Sequence, residues 1–268
     1  MGNLSYVPLT DDLIEDLDDA DITLVTADAN YPGSELKTIP MGTTARGTDP
    51  GTGVKIKIDF GENVNPKFWG FLNHDITSGN LIVYPYNDAW ITPSGESLTV
   101  TYRALDMKGY KAGGGWSAGK RYFLVDLNGC TFSQAFFELG KLVVALDVTT
   151  FTHNFSPGVR RGRGNKNIHN VTPSGIEYTH LLQKKINYFG IKWDPDLKET
   201  LLDEIIAFID ITNGGGYPSI IIPDNSKTEL FYMRNQDITD WNEEVARSMI
   251  SQCFMNFKEL SRGKGQVG

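Results

Sequence analysis

Cysteine is almost missing from this sequence: only Cys130 and Cys253 occur, far apart. Two such thiols supply no disulfide framework, and both are expected free and mostly buried. Histidine is equally sparse. His74, His153, His169 and His180 stand apart, with no pair at the spacing of a helical zinc site. No apolar run reaches the roughly 18 residues of a membrane helix, and MGNLSYVPLT lacks the basic and apolar regions of a secretory leader. The expectation is folding in a cytosol, without membrane insertion. The Met1-Gly2 start touches a myristoylation pattern, but Ser5 lies one place early. Positive charge is in deficit: 25 Lys and Arg face 33 Asp and Glu, a net charge of −8. That balance disfavours nucleic acid as a partner, because phosphate binding needs concentrated cations.

Signatures of chemistry are also missing. There is no G-x-S-x-G elbow and no G-x-x-x-x-G-K-[ST] loop. Gly113-Gly114-Gly115 lacks the strand-to-helix setting of a phosphate cradle and reads as a loop. The acidic block Asp11, Asp12, Glu15, Asp16, Asp18, Asp19 and Asp21 has no glycine at a bend, so it reads as a solvated short helix or a docked arm. A glycosidase carboxylate pair could be picked from so many acids only arbitrarily. The expectation is a protein that is not an enzyme, with no cofactor and no metal.

What the chain has in quantity is glycine, 28 residues, and aromatics, 14 Phe, 11 Tyr and 5 Trp. Short alternating segments accompany them. Val54, Ile56, Ile58 and Phe60 alternate with Lys55, Lys57 and Asp59, and Leu98, Val100 and Tyr102 alternate with Thr99 and Thr101. Ile22 to Thr26, Phe68 to Leu72, Asn80 to Tyr84, Arg121 to Leu127 and Phe136 to Val144 read as further strands. About eight strands without a long helix predict a β-sandwich of jelly-roll type. Trp90, Tyr110 and Trp116 fall in or beside its expected loops, where rings stack on sugars or fill subunit interfaces.

Phe151 to Ser174 changes texture. It holds Arg160, Arg161, Arg163 and Lys166 among glycines and reads as a linker whose charges meet an acidic neighbouring subunit. Beyond it, Phe189, Ile191 and Trp193 alternate, Asp194-Pro195 opens a helix, and Leu197, Leu201, Leu202, Ile205, Phe208 and Ile209 mark its apolar face. Asn213-Gly214-Gly215-Gly216 ends that helix. Ile220 to Ile222, Thr228 to Arg234 and Met249 to Phe257 read as strands.

Several of these stretches resemble known families. Phe68-Trp69-Gly70-Phe71-Leu72-Asn73-His74-Asp75-Ile76, Lys120-Arg121-Tyr122-Phe123-Leu124-Val125-Asp126-Leu127 and Phe136-Phe137-Glu138-Leu139-Gly140-Lys141-Leu142 resemble galactose-binding-like jelly rolls of tailed-phage structural proteins, over most of residues 50–146. Tyr178 to Trp193, the helix, Gly214-Gly215-Gly216, Tyr217-Pro218-Ser219-Ile220-Ile221-Ile222-Pro223, Leu230-Phe231-Tyr232-Met233 and Phe254-Met255-Asn256-Phe257 resemble the ring-forming belt domain of distal and minor tail proteins. Trp241 and Val245 would fill the connection before the last strand. The resemblance implies a virion protein of the tail tip or baseplate, assembled in the host cytoplasm. Its ring would be sixfold, or threefold if matched to a central hub, and would touch tail tube, hub and fibres. The alternative function is a carbohydrate-binding module contacting a host-surface glycan. The expected fold class is mainly β with some α: an arm over 1–20, a jelly roll over 21–148, a linker over 149–176 and a smaller α+β ring domain over 177–268.

Overall fold

The computed structural model describes residues 3–37, 44–48, 53–103, 106–111, 115–153, 160–171, 177–193, 199–214, 216–223, 230–235 and 253–259. The first strands are β1 (Ser5–Pro8), β2 (Ile22–Val25), β3 (Ala45–Gly47), β4 (Lys55–Val64), β5 (Phe68–His74) and β6 (Ile76–Ser78). Next come β7 (Leu81–Tyr86), β8 (Leu98–Val100), β9 (Met107–Tyr110), β10 (Lys120–Asp126), β11 (Thr131–Phe132), β12 (Phe137–Ala145) and β13 (Thr149–Thr150). The chain closes with β14 (Arg160–Val171), β15 (Glu177–Trp193), helix α1 (Glu199–Ile211), β16 (Ser219–Ile222), β17 (Phe231–Asn235) and β18 (Cys253–Glu259). The fold is mainly β with a small helical part.

The chain divides into two compact units. One is a β-sandwich whose body is residues 11–149; the other is an α+β unit holding 1–10, 150–226 and 231–261. The sandwich is therefore inserted into the α+β unit rather than preceding it.

In the sandwich, a five-stranded sheet (β2-β4-β10-β7-β8) faces a four-stranded sheet (β3-β12-β5-β9), with every pairing antiparallel. Alternation sends Ile56, Ile58 and Phe60 of β4 and Phe123 and Val125 of β10 into one core with Trp69, Phe71, Leu142 and Val144. Phe123 is central. Its ring meets those of Phe60 at 5.6 Å, Trp69 at 5.4 Å and Trp116 at 5.6 Å.

Two polar clusters fasten irregular chain to this frame. Lys141 of β12 is fully buried, and its ammonium meets Asp12 Oδ2 at 3.2 Å, Glu15 Oε1 at 2.7 Å and the Lys37 carbonyl at 3.1 Å. Asp12 Oδ1 accepts the backbone N–H groups of Val144 and Ile14 at 2.9 and 3.2 Å. The expected solvated block thus turns inward at Asp12, because only a carboxylate there compensates the buried ammonium. At another corner Arg46 lies 4.2 Å from the centroids of both Tyr31 and Phe136. Its guanidinium pairs with Glu138, whose backbone N–H donates to Asp75 Oδ1 at 2.9 Å.

In the α+β unit a seven-stranded sheet runs β13-β1-β16-β17-β18-β15-β14. Tyr6 of the amino-terminal strand stands opposite Ile221, so Ser5–Pro8 is a sheet strand and not an arm. The strand bears a core ring, since Tyr6 packs edge-on against Phe208 at 4.6 Å. Leu201, Ile205, Phe208 and Ile209 of α1 are buried with Tyr6, Phe151, Ile221 and Phe257, following helical spacing. The helix ends where Asn213 (φ 48°) and Gly214 (φ 61°) turn left-handed and the Gly214 N–H donates to the Ile209 carbonyl at 2.9 Å. That is the bond pattern of a Schellman stop, with Asn at the left-handed position. The expected Asp194-Pro195 start, Trp241 and Val245 lie outside the described residues.

The expected linker over 149–176 contains β13 and β14 instead. Glycines and arginines suggested irregular chain, but the ladder with β15 recruits this segment: Arg161 pairs with Phe189, and Arg163 with Asn187. Cys130 is a free thiol, half-buried, and burial raises its pKa to about 11.

Lys141→Ala leaves the Asp12 carboxylate buried without its cation and is expected to cost about 3–5 kcal/mol. Glu15→Gln, removing the more exposed partner, is expected to cost under about 1 kcal/mol. Urea unfolding followed by tryptophan fluorescence measures both; equal losses would dismiss the buried pair as the anchor. Burial also raises the Asp12 and Asp75 carboxyls to about 6. The folded state then holds these protons more tightly than the unfolded chain; the Asp75 contribution is complete below about pH 4 and lost as pH rises through about 6, whereas neutral Asp12 leaves the Lys141 ammonium to Glu15 and the Lys37 carbonyl. The melting temperature of Asp75→Asn, measured from pH 4 to 8, is expected to fall less across that window than that of the parent. An unchanged slope would rule the Asp75 carboxyl out.

Candidate functional site

The outer face of the five-stranded sheet follows from its register. One row reads Lys57, Leu124, Tyr84 and the next Asp59, Tyr122, Tyr86, across β4, β10 and β7. A third row reads Lys55, Asp126, Ile82. Each outward position alternates with an inward apolar one, as the pleat requires. Tyr84, Tyr86 and Tyr122 are half-buried, while Leu124 between Lys57 and Tyr84 is only 5% exposed.

Trp90 comes to this face from the connection between β7 and β8. Its indole Nε1 donates to the Phe123 carbonyl at 3.0 Å. The ring meets Tyr122 edge-on at 5.1 Å, and the Lys57 ammonium stands 5.2 Å from its centroid. The indole therefore lies across β10 on the face where Leu124 is buried. Its backbone is left-handed, φ 60°, an outlier for so large a residue. Asp88 maintains that turn: its Oδ1 accepts the N–H groups of Ile91 and Thr92 at 3.0 and 2.7 Å. Ile91, at the tip, is 79% exposed.

Charges ring these aromatics. Arg121 donates to both oxygens of Asp59, at 2.5 and 2.9 Å, and its guanidinium lies 5.1 Å from the Tyr122 centroid. The Arg121 hydrogen bond holds the Asp59 carboxyl below its usual range. Lys120 donates to Asn87 Oδ1 at 2.6 Å. Burial, with Asp126 nearby, raises the Tyr86 phenol, so it stays a neutral donor at physiological pH. Rings, hydroxyls and balanced charges on an open face suit stacking and hydrogen bonding. Among the described residues no group of three or more His, Cys, Asp and Glu could hold a metal ion.

The three aromatics expected in loops do not converge. Trp116 is a core residue, 3% exposed, with Nε1 donating to the Pro66 carbonyl at 2.7 Å. Asn65 Oδ1 accepts its backbone N–H at 2.8 Å, which turns the indole inward onto Phe123; this corrects the expectation of an exposed ring. Tyr110 belongs to β9, the edge of the other sheet, and is 50% exposed. Its hydroxyl donates to Asp147 Oδ1 at 3.4 Å, and Lys67 pairs with Asp147 Oδ2 at 2.7 Å. Only Trp90 belongs to the aromatic face. Tyr84, Tyr86 and Tyr122 were legible as the outward partners of Leu81, Val83, Pro85 and Phe123, yet reading for strands counted them as filler.

Arg160, Arg161, Arg163 and Lys166 occupy β14, which closes one end of the seven-stranded sheet with β15 as its neighbour. A basic edge strand is a recognised way to keep an open ladder from unselective pairing.

No family model and no curated protein matches the sequence. Solved structures resemble it over about half its length. A family 32 carbohydrate-binding module from C. perfringens NanJ, in complex with galactose, is 9% identical, covers 53% of this chain and 98% of its own, and has a TM-score of 0.37. A Streptococcus pneumoniae fucose-binding module is 11% identical over 51% of this chain and 95% of its own, TM-score 0.39. The lectin domain of lectinolysin, complexed with Lewis B antigen, is 9% identical over 52% and 98%, TM-score 0.40. Likeness at this level assigns neither ligand nor activity to this chain.

Proposed function

We propose that this chain is a structural subunit of a phage tail, assembling through its α+β unit and carrying an inserted β-sandwich for recognition. The observation that carries the reading is the insertion itself. β1 and β18 belong to one sheet although nearly the whole chain separates them, and residues 11–149 form their own core between. A scaffold interrupted by a self-contained module suits display. The long hairpin of β14 and β15 ends in a basic edge, and the net charge of the chain is −8, so the edge suits an acidic surface of the next copy. The setting rests on the sequence resemblance to tail-tip proteins.

A second reading, a carbohydrate-binding protein acting through the sandwich, is favoured by the aromatic face around Trp90. Rings of Trp and Tyr offer apolar planes to a pyranose, and the paired charges beside them offer hydrogen bonds. The two readings are compatible in one molecule.

Mass photometry and negative-stain imaging of the purified full chain are expected to show closed rings of six or three copies. Arg161→Glu with Arg163→Glu is expected to shift the population to smaller species. A monomer at every concentration up to tens of micromolar would overturn the assembly reading. A glycan array including galactose, fucose and Lewis b tests the second reading, with binding expected to disappear in Trp90→Ala; an array without a hit removes it.

A further inference from the structure

We infer that the outer face of the five-stranded sheet binds an internal stretch of an extended, neutral glycan rather than a single terminal sugar; this rests on the carbohydrate reading. The first ground is shape. The face runs across β2, β4, β10, β7 and β8, which at strand spacing spans roughly 19 Å. Its outward residues stand in parallel rows, from Thr23 beside Lys57 to Thr99 beside Ile82. A terminal-sugar site gathers polar groups around one ring. Here the rings occupy two adjacent rows on β10 and β7 instead.

The second ground is that placement. Tyr122 and Tyr86 are direct cross-strand neighbours, and Tyr84 lies one row away on the strand of Tyr86, roughly 7 Å along it. Trp90 adds a fourth ring against Tyr122. Planes in two adjacent rows match neighbouring sugar units of one chain.

Charge supplies the third ground. Asp59 and Arg121 neutralise one another through two hydrogen bonds, and Lys55 stands beside Asp126 in register. Lys57 is directed to the Trp90 ring. A face with both signs in each neighbourhood offers donors and acceptors to hydroxyls but no concentrated cation for an acidic polymer. Neutral, hydroxyl-rich polymer is the occupant whose charge fits.

Titration calorimetry of the full chain with neutral oligomers of glucose, galactose and N-acetylglucosamine, one to six units long, tests this. Affinity for one series is expected to rise at least tenfold from monomer to hexamer. Tyr84→Ala and Tyr86→Ala, which leave the Trp90 turn in place, are each expected to weaken hexamer binding roughly three- to tenfold. Circular dichroism confirms that the variants fold. Equal binding of monosaccharide and hexamer, or binding unchanged in both variants, would overturn the extended-glycan assignment while leaving a carbohydrate site elsewhere. Binding to no glycan here or on the array would overturn both.

Discussion

An ammonium group with no exposure to water sets the terms for the sandwich. Lys141 sits in β12 among Leu142, Val143 and Val144, all buried, and stripping its charge of solvent costs several kcal/mol unless oxygens replace the water. Asp12, Glu15 and the Lys37 carbonyl do so. They lie on either side of β2, so the lysine fastens the chain that flanks that strand, while the ladder with β4 holds the strand itself. The same Asp12 takes the Val144 N–H, tying the insertion's first residues to its last strand. That closure joins the two ends of a segment whose two sheets enclose their own core.

Much of the sandwich was readable because alternation is a direct imprint of the pleat. Lys55 to Phe60 declares which side is wet, and the register with β10 and β2 follows from it. The helix was legible for the same reason, since Leu201, Ile205, Phe208 and Ile209 mark one face and Asn213-Gly214 its end. Long-range pairing leaves no such imprint. Ser5-Tyr6-Val7-Pro8 looks like any short apolar run, and only its partner Ser219–Ile222 makes it a strand. The glycine-and-arginine texture of 160–166 signals flexibility locally, and a ladder partner overrules it. Asp12 looked like its acidic neighbours because burial is a property of the partner, Lys141.

Candidate site residues divide along the same line. Composition located tryptophans but not their orientation. Trp116 and Trp90 both find a carbonyl for the indole N–H, Pro66 and Phe123 respectively, and that satisfies the donor in either place. The difference is the backbone. Asn65 holds Trp116 over the core, whereas the Asp88 turn holds Trp90 left-handed on the outer face. Strain at Trp90 persists because the indole bond to the Phe123 carbonyl, the two bonds that Asp88 Oδ1 accepts and the ring contact with Tyr122 hold it. A turn so constrained leaves the indole little freedom.

The insertion also spaces the pairing partners of the α+β sheet far apart in the chain. Within 11–149 the pairings are mixed in range: β7 meets β8 across one connection, whereas β12 meets β5 with six strands between them in the chain, so both short and long loops must close. The α+β sheet mixes ranges further, from the β14–β15 hairpin to the pairing of β1 with β16. Ser5 pairs with Ile222, and β18 must arrive before β17 and β15 share a neighbour. Its core of Tyr6, Phe151, Phe208 and Phe257 joins residues from both ends of the chain. Before β16 is in place β1 has only the two-residue β13 beside it, and a partly built sheet presents open edges. A sheet whose middle strands come from distant parts of the chain keeps an edge open until β18 joins β17 to β15.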